Sequence, residues 1–228
     1  MSFAEAVAFT EPKTLPRAVL FDWDNTLVDS WAVIHAALNH TLAAMGHETW
    51  SRAETEMRAR ASLRDSFPTL FGDDWQQAEK LFYDHFSAIH LSYLAPLPGV
   101  TELLEYLAGL PIYLAVVSNK RGVFLRKEAS HLGWDRYFAV LAGAGDAARD
   151  KPARDHVELA LGGPSGLVAG ADVWFIGDTD IDLRCAHLAG CTPVLIRTTA
   201  PAAGEFDPHP PALYHPDCQS LLAYLQSL

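Results

Sequence analysis

A chain of 228 residues, half of them hydrophobic, has room for one sizeable core plus a smaller lobe and lies far from the composition of a disordered protein. Twenty-eight acidic residues against seventeen basic ones give a formal charge of -11, whose field opposes nucleic acid and anionic membranes. The same field opposes a phosphorylated metabolite, so any anion site here needs a cation of its own.

The stretch from Met1 to Arg17 has no continuous apolar run and does not read as a signal peptide; residues 1–16 are expected to form a poorly ordered leader. No apolar run reaches the roughly 18 to 20 residues of a membrane helix. Arg17-Ala-Val-Leu-Phe21 reads as a short buried strand that ends abruptly in Asp22-Trp-Asp-Asn-Thr26. From about Ser30 to Ala95 no strand pattern occurs. Trp31, Ile34, Leu38, Leu42 and Met45 recur at helical spacing, and so do Trp75, Ala78, Leu81, Phe82, Phe86 and Ile89. A helical insertion of about 65 residues in a first crossover far exceeds an ordinary connection and predicts a lid. Leu94-Ala-Pro-Leu-Pro-Gly99 marks the return to the core.

Beyond that point strands are predicted at Ile112–Val117, Tyr137–Leu141, Val173–Ile176 and Pro193–Ile196. Helices are predicted at Val100–Leu110, Val123–Leu132, Arg154–Leu161 and Ile181–Ala189. Thr198–Pro211 reads as a surface loop and Gln219–Leu228 as a terminal helix. The alternation predicts an α/β fold with a doubly wound parallel sheet, its core formed by residues 1–29 and 96–228 and its helical cap by 30–95. Cys185, Cys191 and Cys218 are odd in number and lack CxxC spacing, which fits reduced thiols of a cytoplasmic protein rather than disulfides or a zinc knuckle.

In a sheet of this class ligands bind beyond the carboxyl ends of the strands, and three predicted strands run straight into polar clusters there. Asp22 and Asp24 stand two apart, where extended geometry puts their side chains on one side of the chain. Carboxylates that close repel unless a cation or shared proton intervenes, although an isolated Asp-x-Asp is more often a plain turn. Gly177-Asp178-Thr-Asp-Ile-Asp182 is a second acidic cluster at the same edge. Alone it reads as a helix N-terminus, but beside the first it calls for a hard cation with oxygen ligands. Ser118 and Asn119 offer a hydroxyl and an amide to a phosphoryl oxygen, and Lys151 offers the positive charge; singly, each is an ordinary turn or loop residue. His35 with His40, and His85 with His90, are five apart and do not form a metal pair at i, i+4, so packing or surface roles are expected for them.

In this order, Asp22-x-Asp24-x-Thr26, Ser118, Lys151 and Gly177-Asp178-x-x-x-Asp182 resemble the haloacid dehalogenase superfamily over residues 17–197. Phe21–Ser30 and Ala186-His-Leu-Ala-Gly190 are especially similar to its phosphoglycolate-phosphatase-like branch. The resemblance implies Mg2+-dependent hydrolysis of a small phosphomonoester, with Asp22 as nucleophile and Asp24 as general acid and base. It implies Mg2+ held by the Asp22 side chain, the Asp24 main-chain carbonyl and Asp178, with Asp182 in support. Ser118 and Lys151 would hold the phosphoryl group, Thr26 would shape the nucleophile loop at the phosphate, and Asn119 would contact phosphate or leaving group. The insertion matches a C1-type cap, and the short span from Ser118 to Lys151 leaves no room for a second one. Trp23 departs from the smaller residue expected between the aspartates.

Other chemistries of the superfamily fit less well. A dehalogenase would not need Asp24, a phosphonatase would need a cap lysine better placed than Lys80, and a β-phosphoglucomutase-like enzyme usually carries Glu-Asp where this chain has Gly177-Asp178. A catalytically silent binding fold would not need the full set of Asp22, Asp24, Lys151 and Asp178. In the cap, Arg58, Arg60 and Arg64 are either a solvated face or ligands for a second anionic group on the substrate. The expected partner is a small phosphorylated metabolite, with no nucleic acid and no membrane, bound by a monomer or homodimer.

Overall fold

A computed structural model describes residues 12–59, 63–162 and 166–228. The chain runs through β1 (Ala18–Phe21), β2 (Val28–Asp29), α1 (Trp31–Ala44), α2 (Arg52–Arg58), α3 (Leu63–Phe71) and α4 (Trp75–Tyr93). It continues through β3 (Ala95–Pro96), α5 (Val100–Ala108), β4 (Tyr113–Arg121), α6 (Gly122–His131), β5 (Val140–Ala144) and α7 (Asp155–Leu161). It closes with β6 (Val173–Gly177), α8 (Asp180–Ala189), β7 (Thr192–Ile196), β8 (Leu213–His215) and α9 (Cys218–Gln226). These elements form two compact units, Met1–Leu27 with Pro96–Leu228, and Val28–Ala95. The inserted unit thus begins at Val28, two residues ahead of the expected boundary. No helix among the described residues is long and apolar enough to cross a membrane.

In the first unit six strands pair in parallel in the order β5-β4-β1-β6-β7-β8. All four residues of β1 are buried, as a strand covered on both faces must be. Ala18 and Leu20 share one face with Ala115, Val117, Val173 and Phe175, against Val157 and Ala160 of α7 and Cys185 and Ala186 of α8. The chain leaves β1 toward β4 and β5, then returns to the other side of β1 as β6. The strand order therefore reverses between β1 and β6, which opens a crevice at their carboxyl ends. Phe21 pairs with both Val116 and Ile176, so the residues that follow these strands emerge level with one another.

Two strands differ from the sequence pattern. The one predicted at Tyr137–Leu141 lies at Val140–Ala144, because Tyr137 is held in a turn by its N–H to the Trp134 carbonyl (2.9 Å) and pairing begins only after it. The strand then runs through Ala-Gly-Ala, whose small residues hide it. Gly143 is required there, since a Cβ would stand 2.5 Å from the Gly122 Cα. β4 extends past Val117 to Arg121, with an irregularity in which Val117 and Arg121 face Ala142 and Ala144. That bulge lifts Ser118, Asn119 and Lys120 out of the regular ladder. β8 has no clear signal in its three residues. The loop ahead of it is irregular as expected, though Phe206 is buried against Leu183 and Leu195.

The second unit is helical between its terminal residues. Its buried positions are Val33, Ala37, Leu38, Thr41 and Leu42 on α1 and Ala78, Phe82, Phe86 and His90 on α4, the latter repeating every four residues. Trp31, Ile34 and Met45 are only half-buried. Edge-to-face rings of Phe67, Phe71 and Phe82 fill the space beside α3, and a capping box between Ser51 and Glu54 starts α2.

Cys185, Cys191 and Cys218 are all buried, and burial pushes each thiol up to about 12. A thiol-specific colorimetric reagent at mildly alkaline pH is expected to leave the folded protein unmodified and to titrate all three only after denaturation. Rapid labelling of the native protein would contradict this packing.

Candidate active site

The site is assembled at the carboxyl end of β1. The Asp22 N–H still donates to the Ile176 carbonyl (2.8 Å), continuing the ladder, and then the chain turns. Asn25 takes a left-handed conformation (φ 60°), which asparagine tolerates better than most residues, and the Leu27 N–H closes the turn on the Trp23 carbonyl (2.9 Å). Trp23 is wholly buried, set edge-on to Trp134 with ring centroids 5.9 Å apart. The large ring between the two aspartates is thus the anchor of the loop.

Asp22 and Asp24 are each paired with a different buried lysine. Lys151 Nζ donates to Asp22 Oδ1 (2.6 Å) and to Asp182 Oδ1 (2.7 Å), with its side chain 3% exposed. Lys120 Nζ donates to Asp24 Oδ1 and to Glu128 Oε2 (2.9 Å). The sequence singles out one lysine for this edge, and the fold supplies two. Burial alone would discharge Lys151, but Asp182 and Asp22 hold its proton more firmly than usual; Asp24 and Glu128 do the same for Lys120.

Burial pushes the Asp22 carboxyl up to about 6, with Lys151 pulling against it and Asp182 adding to it. Asp178 is pushed well above its ordinary value by burial, then by the charges of Asp182 and Asp22. Carboxylate oxygens of Asp22, Asp178 and Asp182 lie within 4.8 Å of one another, and the Lys151 ammonium bonds two of the three, Asp22 and Asp182. An all-oxygen, acid-rich donor set of this kind fits a hard divalent cation. The Asp24 carboxylate is not part of that group; it faces Lys120.

Supporting residues orient this centre. Asp182 Oδ2 accepts from the Thr179 N–H (3.1 Å) and Oγ1 (2.7 Å), a capping box at the start of α8 that leaves Oδ1 for Lys151. Thr26 Oγ1 donates to Asp178 Oδ1 (3.4 Å), tying the first acidic loop to the second. Ser118 is buried, and its Oγ accepts the Lys120 N–H (3.2 Å). Asn119, expected at the phosphate or leaving group, commits its amide elsewhere: Oδ1 accepts the Lys151 N–H (2.9 Å) and Nδ2 donates to the Lys151 carbonyl (3.1 Å). It pins the backbone that carries the lysine.

Residues 19–196 match the haloacid dehalogenase-like hydrolases. The chain belongs to that family. A Yersinia pestis protein named phosphoglycolate phosphatase is 30% identical over 221 residues, covering 93% of this chain and 91% of its own. A 5'-nucleotidase of Pseudomonas aeruginosa is 28% identical over 213 residues, covering 92% of this chain and 95% of its own. A haloacid dehalogenase-like hydrolase from Streptococcus pneumoniae shares the fold, with a TM-score of 0.80 at 23% identity over 92% of this chain and 98% of that one.

The four motifs by which the sequence resembles the haloacid dehalogenase-like hydrolases converge at one sheet edge, and Lys120 and Glu128 join them unannounced. Both left a signal. Lys120 follows Ser118 by two at a strand end, and Glu128 sits among Leu125 and Ala129 on the buried face of α6, where a charge needs a partner. Of the cap arginines, Arg60 lies outside the described residues and Arg64 falls in α3 where side chains are not described. Arg58 pairs with Glu54 (3.6 Å) and lies over the Trp50 ring (4.8 Å) within the helical unit.

Gly177 is the tightest point of the site, since a Cβ there would stand 2.4 Å from the Asp182 Cβ. Gly177→Ala is expected to push Asp182 off Lys151 and to lower stability by about 1–3 kcal/mol in urea titration. An unchanged midpoint would show that Asp182 is not seated as described.

Proposed function

We propose that this chain is a Mg2+-dependent phosphatase that hydrolyses a small phosphomonoester through an aspartyl-phosphate on Asp22, in the manner of phosphoglycolate phosphatases. The observation that carries this is the buried Asp22 carboxylate at the sheet's switch point, bonded to Lys151 and flanked by Asp178.

Asp22 attacks phosphorus in line, and the bond from phosphorus to the leaving oxygen breaks as Asp24 delivers a proton to that oxygen. Asp24 then takes a proton from water, whose oxygen attacks the same phosphorus; the bond to Asp22 breaks and inorganic phosphate leaves. Lys151 and Ser118 hold the transferring phosphoryl oxygens, and Asn119 keeps Lys151 in place. The Asp22 and Asp178 carboxylates and the Asp24 main-chain carbonyl, with Asp182 behind them, would hold Mg2+, whose charge offsets that of the phosphoryl group when bound. Lys151 alone cannot balance three acids and an incoming anion, which is why a second cation belongs here.

The relatives' names point to two leaving groups, glycolate and a nucleoside, and both are small. The helical unit Val28–Ala95 serves as the lid that selects among them, with Arg60 and Arg64 as its candidate ligands for a second anionic group on the substrate. A nucleic-acid or membrane partner is disfavoured by the charge of -11, and buried thiols suit a reducing, cytoplasmic setting. The mutase alternative is weakened at Gly177, which brings no carboxylate to the site.

The purified protein is expected to hydrolyse p-nitrophenyl phosphate with Mg2+, to stop when a chelator is added, and to lose turnover with Asp22→Asn. Turnover indifferent to both treatments would overturn the nucleophile and metal assignments. On a substrate panel, 2-phosphoglycolate or a nucleoside 5'-monophosphate is expected to be turned over far faster than a phosphoprotein. Efficient phosphoprotein hydrolysis with the metabolites inert would rule out a small-substrate lid.

A further inference from the structure

Lys120 has no part in the chemistry described above, yet its side chain is nearly as buried as that of Lys151. Its side chain is 5% exposed and Glu128's is 1% exposed, whereas Asp24, at the other end of the bridge, is 22% exposed. Glu128 Oε2 also accepts the Trp23 indole N–H (2.7 Å). Trp23 precedes Asp24 in the chain, so the contacts close a ring: Asp24 carboxylate, Lys120, Glu128, Trp23 indole, and back along the main chain to Asp24.

The ring is directional. Glu128 is sealed in the interior and cannot reach a substrate, which leaves it the task of anchoring the ammonium. Trp23 is fixed in turn by its packing against Trp134. Only Asp24 opens toward solvent. A buried ion pair of this kind gives little net stability, because apolar side chains of equal volume commonly do as well. What it does provide is a fixed position for the one member that is exposed. Position matters here, because misplacing a catalytic group by about 1 Å can cost on the order of 10²-fold in rate.

We propose that Lys120, anchored by Glu128 and Trp23, is a positioning residue that holds the Asp24 carboxyl for proton transfer at the leaving oxygen. The proposal rests on the assignment of Asp24 as general acid and base made above. Lys120 donates to Oδ1, so the bond persists while Oδ2 carries the proton that goes to the leaving oxygen. After the alcohol departs, the same bond orients the carboxylate that takes a proton from water. Lys120 itself neither gains nor loses a proton in either step.

The test compares two substrates of similar shape whose leaving groups differ in acidity. p-Nitrophenolate departs with little help from an acid, whereas phenolate needs the proton more. General acid assistance is worth about 10²–10⁴-fold when needed, so kcat/KM for phenyl phosphate is expected to fall about ten-fold further than for p-nitrophenyl phosphate in Lys120→Met. Asp24→Asn supplies the reference for complete loss of the acid. Glu128→Gln, which keeps the side-chain shape and an acceptor for Trp23, is expected to shift the same ratio in the same direction by less, and it decides the matter should Lys120→Met fail to fold. A merely structural lysine would lower both substrates by one factor. An unchanged substrate ratio in these variants, whether or not overall activity falls, would overturn the proposal. Asp22→Asn separates the two levels: if it retains turnover, the underlying mechanism fails, whereas if it is inert and Asp24→Asn is selective, an unshifted ratio for Lys120 and Glu128 sinks only this inference.

Discussion

The bridge from Lys151 to Asp22 and Asp182 is the contact on which the site depends. In a protein of charge -11, three acids gathered at one sheet edge would repel each other and any phosphate that approached. One buried ammonium touching two of them offsets part of that repulsion, and the rest calls for the second cation proposed above. Much of the local structure serves that ammonium. The Asn119 amide pins its backbone on both sides, the Thr179 capping box turns Asp182 toward it, and Gly177 gives up its side chain so that Asp182 fits.

The second lysine changes how the two aspartates of the first loop are understood. They stand two apart in sequence, but each answers to its own cation. Asp22 belongs to the acid-rich pocket with Asp178 and Asp182, and Asp24 to a separate pair inside the core with Glu128 behind it. That division matches the proposed roles, a nucleophile beside the acid cluster and a proton carrier whose carboxylate stays apart from that cluster. Trp23 makes the division possible by burying the residue between them.

The parts of the fold legible in the sequence were those whose residues have strong, local reasons. β1 and β6 are unbroken apolar runs because both faces of a central parallel strand are covered, and the clusters that end them are polar because the sheet stops there. The insertion was visible because its apolar spacing changed from that of strands to that of helices. β5 lies further along the chain than its pattern suggests because Ala142, Gly143 and Ala144 carry no strand signature; the missing side chain at Gly143 answers the close approach of Gly122, a constraint set by tertiary packing. Lys120 and Glu128 are hard to read for a related reason: the local pattern shows that each needs a partner, but that the partner of Lys120 is Asp24 is set by a contact 96 residues apart in the chain. Asn119 is legible as polar and strand-terminal, but its amide turns to the Lys151 backbone rather than to a phosphate, at the irregularity in β4.

The central claim is that phosphorus becomes bonded to Asp22 during turnover. It is tested most directly by quenching the enzyme in acid during steady-state hydrolysis with Mg2+ and locating the added phosphoryl group by peptide mass spectrometry. A phosphoryl group on the peptide that carries Asp22, present with substrate and Mg2+ and absent when the metal is chelated, is the predicted result. Vigorous turnover with no phosphorylated peptide, or with the group on a residue other than Asp22, would contradict it.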